Sequence, residues 1–256
     1  MARKLVIAGN WKMNNTIDQT RELIHAIKKR GCLSHKADVV VAPPFTALRA
    51  AAKAAGDTSI QVAAQNVFWE ESGAFTGEVS PIMVKEAGAK WVIVGHSERR
   101  QYFGETDDTV NRRIKAALAV DLKVIVCVGE TLQEREANHA FAVLDRQITG
   151  AFAGVAAGDL DRVVIAYEPV WAIGTGKTAT ADQADEAHGH IRGKVAALYT
   201  AEAAGAMRIL YGGSVKPSNA KELIGREHVD GALIGGASLK AADFCAIVAA
   251  GLETHA

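Results

Sequence analysis

Eight short runs of apolar, mostly β-branched residues recur along the chain, at 5–8, 39–42, 60–63, 91–94, 124–128, 163–166, 208–211 and 231–234. Most lack the polar alternation of a strand with one wet face, so they read as strands covered on both sides, as in a parallel sheet. They begin roughly 20–45 residues apart, room for the crossover that each parallel strand needs. The intervals carry helical signals. Thr16 can cap a helix whose Ile17, Leu23, Ile24 and Ile27 fall on one side, with Gly31 to end it. Ser80-Pro81 sets a cap and a first-turn proline before Ile82, Met83 and Val84, with Gly88 as the stop. Thr106-Asp107 opens a helix through Val110, Ile114 and Leu118. The alanine- and charge-rich segment 131–157 reads as helical. So does 180–204, where Thr180 and Gln183 have the spacing of a capping box.

Strand then helix, repeated to the end, means α/β. No linker, charge block or low-complexity tract interrupts the series, so residues 1–256 are read as one domain. The alternation fits a closed barrel or a doubly wound open sheet; eight strands in one unbroken series favour a single (β/α)8 TIM barrel. The polar residues support that choice. Asn10 and Lys12, Gln65 and Asn66, His96, Gly129 and Glu130, Glu168, Gly212 and Gly213, and Gly235 and Gly236 all stand just after strands. A barrel gathers those ends into one mouth, where chemistry belongs in this architecture.

Composition narrows the partners. Lys+Arg and Asp+Glu both total 29, and the zero net charge argues against nucleic acid or a membrane surface. The three cysteines, Cys32, Cys127 and Cys245, are few, odd in number and far apart, so neither a disulfide framework nor a thiolate metal site is expected. The start shows no cleavable signal and no apolar run is long enough to span a bilayer, which points to the cytoplasm. Gly176-Lys177-Thr178 imitates the end of a P-loop, but Trp171 stands where that pattern needs its first glycine. GxGxxG and HExxH are both absent, and His188 and His190 point to different helix faces. Neither a nucleotide cofactor nor a metal is expected.

The stretch 166–179 carries the sharpest chemistry. Pro169 keeps Glu168 extended at the end of a strand, and Val170-Trp171 gives way to the small tip Ile173-Gly174-Thr175-Gly176. A placed carboxylate before a flexible apolar segment suits a base under a closing lid. Lys12 can bring positive charge into the mouth for an anionic substrate. Ser97 can cap a short helix whose positive end lies beside His96 and keeps its imidazole neutral. Tyr211-Gly212-Gly213-Ser214 and Gly235-Gly236-Ala237-Ser238 sit after the last two strands, where barrels hold phosphate. Together these groups suit proton abstraction beside a carbonyl on a small phosphorylated substrate, with a lid excluding water from the enediol.

Gly9-Asn10-Trp11-Lys12-Met13-Asn14, Gly95-His96-Ser97-Glu98-Arg99, the stretch 166–178 and both late glycine loops resemble, in order, the motifs of the triosephosphate isomerase family. The resemblance implies interconversion of dihydroxyacetone phosphate and D-glyceraldehyde 3-phosphate, without a cofactor, in glycolysis and gluconeogenesis. It implies Glu168 as the base, His96 as the neutral electrophile, and Asn10 and Lys12 as positioning and polarising groups. Glu98 looks like the partner of Lys12. Gly174, Ser214, Gly235 and Gly236 would contact phosphate, while Tyr211 and Ser214 would hold shut a lid running from Pro169 and Trp171 through Ile173, Thr175 and Gly176. Ala172 stands at a lid position often held by serine. The apolar connection 65–79, with Phe68, Trp69 and Phe75, resembles the family's interdigitating loop, and Thr76 would reach the partner's Asn10/Lys12 region in a homodimer. The rival functions are a Schiff-base aldolase on a phosphate-binding barrel and a non-catalytic metabolite-binding protein.

Overall fold

Successive residues of the first strand face opposite ways: Leu5 and Ile7 pack outward under the helices, while Val6 and Ala8 point into the middle of the sheet, and all are buried. Two layers of apolar packing explain why the runs do not alternate. The structure, a computed structural model, describes residues 3–173 and 178–255.

The strands are β1 (Leu5–Asn10), β2 (Ala37–Ala42), β3 (Ile60–Ala64), β4 (Trp91–Val94), β5 (Lys123–Val128), β6 (Val163–Tyr167), β7 (Arg208–Tyr211) and β8 (Gly231–Ile234). They pair in parallel and in order, and β8 returns to β1 through Val6↔Gly231 to Gly9↔Ile234, so the sheet is a closed barrel. Around it run α1 (Ile17–Lys29), α2 (Leu48–Ala55), α3 (Pro81–Glu86), α4 (Ser97–Phe103), α5 (Asp107–Ala119) and α6 (Leu132–Glu136). They are followed by α7 (Ala140–Ala151), α8 (Ala181–Leu198), α9 (Ala201–Ala206), α10 (Pro217–Ile224) and α11 (Ala241–Thr254). Val6, Val40, Trp91, Ile93, Ile125, Val164, Leu210 and Leu233 fill the barrel interior. At its lower end Asp38 accepts from Lys4 Nζ (2.6 Å) and Gln61 Nε2 (3.1 Å), and Trp91 Nε1 donates to Gln61 (2.7 Å), closing the bottom with a satisfied polar layer.

The caps act as their sequence suggests: Thr16, Thr106 and Thr180 each form a capping box, and Ser80 accepts from the Met83 amide. Other expectations change. Ile17, Ile82 and Met83 are exposed, so only part of each expected apolar face is inside. Segment 131–157 is two helices, broken where Asn138 takes a left-handed φ of 59°. Segment 180–204 breaks between α8 and α9, where the Thr200 side chain starts a new helix. The cysteines also depart from expectation. Cys32 and Cys245, 213 residues apart in sequence, are joined as a disulfide because ring closure brings α11 back against α1.

Candidate active site

Glu168 is placed by its backbone. Its amide donates to the Val128 carbonyl (2.7 Å), and the Gly212 amide donates to the Tyr167 carbonyl (2.6 Å), so β5 and β7 grip the end of β6 from both sides. Only glycine permits that grip: a Cβ on Gly129 would stand 1.7 Å from the Glu168 carbonyl oxygen, and one on Gly212 would stand 2.9 Å from Glu168 Cγ. Pro169 follows with φ −65°, which fixes the direction in which the chain leaves the strand. The carboxylate is 2% exposed. Its Oε2 accepts from the Ser97 amide (2.9 Å), its Oε1 accepts from Ser97 Oγ (3.3 Å), and His96 Nε2 lies 2.9 Å from Oε1.

His96, not Ser97, caps α4: the Glu98 amide donates to His96 Nδ1 (3.2 Å), and Ser97 is the first helical residue. An imidazole that accepts at Nδ1 carries its proton on Nε2, facing Glu168. Lys12 sits across the mouth at φ 51°, a conformation rare for a side-chain-bearing residue. Asn10 Oδ1 accepts its amide (3.0 Å) and Gln65 Nε2 donates to its carbonyl (2.8 Å), which holds the strained turn in place. Lys12 Nζ donates to Glu98 Oε1. Asn10, Lys12, His96, Glu168, Ile173, Ser214, Gly235 and Gly236 line one cavity of about 230 Å³. Gly236 opens a short 3-10 turn, and neither it nor Gly235 has a side chain between its backbone and the cavity.

Trp171 and Tyr167 share an acceptor that residue patterns do not reveal. Trp171 Nε1 (2.8 Å) and Tyr167 Oη (3.0 Å) both donate to Glu130 Oε1, as does Arg135 Nη1 (3.0 Å), and Glu130 is fully buried. Burial and the neighbouring Glu130 push the Tyr167 phenol well above its ordinary value. Burial also pushes Tyr211 up to about 12, partly offset by the Ala179 backbone N–H beside it. Gly174, Thr175 and Gly176 lie outside the described residues.

The electrostatics follow from the contacts. Burial opposes the charged form of Glu168, but His96 and the Ser97 amide outweigh it and hold the carboxyl below its ordinary value. Burial opposes charge on His96 as well, yet the Glu168 carboxylate overrides it and raises the imidazole. The Glu98 amide at Nδ1 acts the other way, since a proton there would forfeit that hydrogen bond. Without Glu168 at 2.9 Å, burial, the largest influence, favours neutral imidazole together with this amide and Lys12, and the Glu98 carboxylate alone still acts to raise it. Among the described residues, no three His, Cys, Asp or Glu side chains cluster to hold a metal ion.

With that geometry in place, the sequence profile of triosephosphate isomerase matches residues 5–251. The chain belongs to the triosephosphate isomerase family. Triosephosphate isomerases of Citrifermentans bemidjiense and Clostridium novyi are each 56% identical to it over 246 residues, covering 96% of this chain and 98% of theirs. That of Geotalea uraniireducens is 55% identical over the same length and coverage. The triosephosphate isomerase motifs met along the sequence thus stand on a closed barrel, and among their described residues Asn10, Lys12, His96, Glu168, Ser214, Gly235 and Gly236 converge on one mouth. Residues to which sequence reasoning gave no part in the chemistry complete the site. Ser97 binds the Glu168 carboxylate, Gln65 holds the Lys12 turn, and Glu130 ties Trp171 to the barrel. Their position after strands was the one signal available for Gln65 and Glu130. Thr76 is exposed on the connection 65–79, beside Phe75, whose ring packs on Phe68 at 4.6 Å.

Proposed function

We propose that this chain, as one domain over residues 1–256, interconverts dihydroxyacetone phosphate and D-glyceraldehyde 3-phosphate with Glu168 as the base. Family membership makes it an aldose–ketose isomerase; the division of labour among the residues is our reading. The observation that carries it is the buried Glu168 carboxylate lying 2.9 Å from His96 Nε2 in a cavity that also holds Lys12 and the glycine pair Gly235-Gly236.

Phosphate binds against Ser214 and the backbone of Gly235 and Gly236, with Lys12 balancing its charge; Gly174 would add a contact from the lid. Substrate entering between Glu168 and His96 displaces the carboxylate from Ser97. Glu168 then takes the carbon-bound proton, and His96, with Asn10, donates hydrogen bonds to the two substrate oxygens. The parting of Glu168 from His96 removes the stronger of the two influences that raise the imidazole, Glu98 being the weaker, and burial then favours a neutral donor. Glu168 returns the proton to the neighbouring carbon, the hydroxyl proton passes from one substrate oxygen to the other by way of His96, and no electron carrier enters. The segment that starts with Pro169, Trp171 and Ile173 closes over the enediolate, and Tyr211 and Ser214 meet it in the closed form. Water exclusion protects an intermediate that would otherwise eliminate phosphate.

The exposed Phe75 and Thr76 support a homodimer in which Thr76 docks beside the partner's Asn10/Lys12 turn. No helix of the described residues is long and apolar enough to cross a membrane, and the reaction suits a cytoplasmic enzyme of glycolysis and gluconeogenesis. Turnover of glyceraldehyde 3-phosphate by the purified chain, coupled to a dehydrogenase that consumes dihydroxyacetone phosphate, tests the function. Absence of turnover would replace it with a non-catalytic binding role. Lysine labelling by substrate and borohydride would replace it with Schiff-base chemistry.

A further inference from the structure

We propose that Cys32 and Cys245 form a reversible two-electron redox site, closed by a small disulfide of the glutathione class, that staples the outer helices without reaching the catalytic mouth. Their Cα atoms are 5.3 Å apart, well inside the span of a disulfide. Cys32 lies just beyond α1, after the turn at Gly31 (φ 65°), and Cys245 lies on α11. These helices pack together over the seam where β8 meets β1. Hydrogen bonds and packing alone close the barrel there; the bond makes the closure covalent.

Both redox forms fit the surroundings. Cys32 is partly exposed, so a small disulfide can reach its sulfur, whereas Cys245 is 7% exposed. Cys245 Sγ lies 3.9 Å from the Ile27 carbonyl, an acceptor for its S–H when the pair is reduced. Cys127 does not compete. It is wholly buried in the barrel interior, where burial and the Glu168 carboxylate push its thiol well above the ordinary range. An exchange reagent therefore finds one reactive pair.

The steps balance. The Cys32 thiolate attacks glutathione disulfide, forming a mixed disulfide and expelling one glutathione thiolate. The Cys245 thiolate then attacks the Cys32 sulfur, forming the internal bond and expelling the second. The protein loses two electrons, glutathione disulfide gains them, and the two thiol protons pass through solvent to the released thiolates. A dithiol reverses the sequence. Neither cysteine lines the catalytic cavity, so turnover is the same in both forms. Stability is not. The bond ties positions 213 residues apart and restricts the unfolded chain, which should raise Tm by about 10 °C at fixed protein concentration.

The test uses the purified full chain incubated with glutathione disulfide or with dithiothreitol, then alkylated in denaturant and weighed. The oxidised protein should take up one alkyl group, on Cys127, and the reduced protein three. Tm should differ by about 10 °C, kcat should agree within about twofold, and Cys32→Ser and Cys245→Ser should each abolish the Tm difference. Three alkyl groups after oxidation, a bound glutathione that never resolves, or equal Tm values would overturn the proposal. So would a Tm gap that survives either substitution.

Discussion

Gly129 is the position from which the base can be displaced without touching any reacting group. A Cβ there would lie 1.7 Å from the Glu168 carbonyl oxygen, and relief even to 3.0 Å, the closest approach that real Cβ atoms show, requires a movement of about 1.3 Å. Gly129 cannot supply that movement cheaply. Its amide donates to Gln147 Oε1 (2.7 Å) and its carbonyl accepts from Gln147 Nε2 (3.1 Å), and Gln147 is buried. Glu168 must yield instead, and it carries the carboxylate with it. A misplacement of about 1 Å costs on the order of 10²-fold, equivalent to about 2.7 kcal/mol of barrier. Gly129→Ala should therefore lower kcat by about 10²-fold and change KM little, since the phosphate loops follow other strands. Crowding should also cost about 1–3 kcal/mol of stability. Steady-state kinetics in both directions, with urea unfolding alongside, measure the two effects. Gly193→Ala is the control: its Cβ would enter open space on an exposed turn of α8, so kcat should hold and stability should not fall. A folded Gly129→Ala enzyme with wild-type kcat would refute the view that this backbone contact positions the base.

Two further predictions concern pH and assembly. The Glu168 contribution to stability is complete above its ordinary value of 4.5 and is lost as pH falls through its lower folded value. That of His96 is complete below 6.5 and is lost as pH rises through its raised folded value. The difference in urea midpoint between the wild type and Glu168→Gln should thus be most favourable to the wild type between about pH 4.5 and 6.5 and shrink on either side; a difference independent of pH would contradict the coupling. Thr76→Arg should give a monomer by sedimentation at micromolar concentration and lower kcat by roughly 10²-fold, because the Lys12 turn loses the partner's support. A fully active monomer would remove the partner from the site.

The parts of the fold legible in the sequence were those written in local chemistry. Eight short, largely apolar runs marked the strands, and Thr16, Ser80, Thr106 and Thr180 marked helix starts, because caps depend on neighbours three residues away. Helix breaks inside alanine-rich segments were not legible. Asn138 ends α6 by adopting a left-handed conformation, which propensity alone does not announce. The Cys32–Cys245 bond depends on ring closure over 213 residues, and no spacing encodes it. The site divides in the same way. Glu168, His96 and Lys12 stood out as polar residues after strands, whereas the Ser97 amide that binds Glu168 and the Gln147 clamp on Gly129 are tertiary contacts.

The account rests on Glu168 as the group that moves the proton. The most direct measurement is kcat for isomerisation by Glu168→Gln beside the wild type, in buffer containing a chelator and no cofactor. A neutral amide of the same shape keeps the packing but takes no proton, so kcat should fall by on the order of 10³-fold or more, with KM changed far less. A glutamine variant that turns over within about tenfold of the wild type would show that the base lies elsewhere.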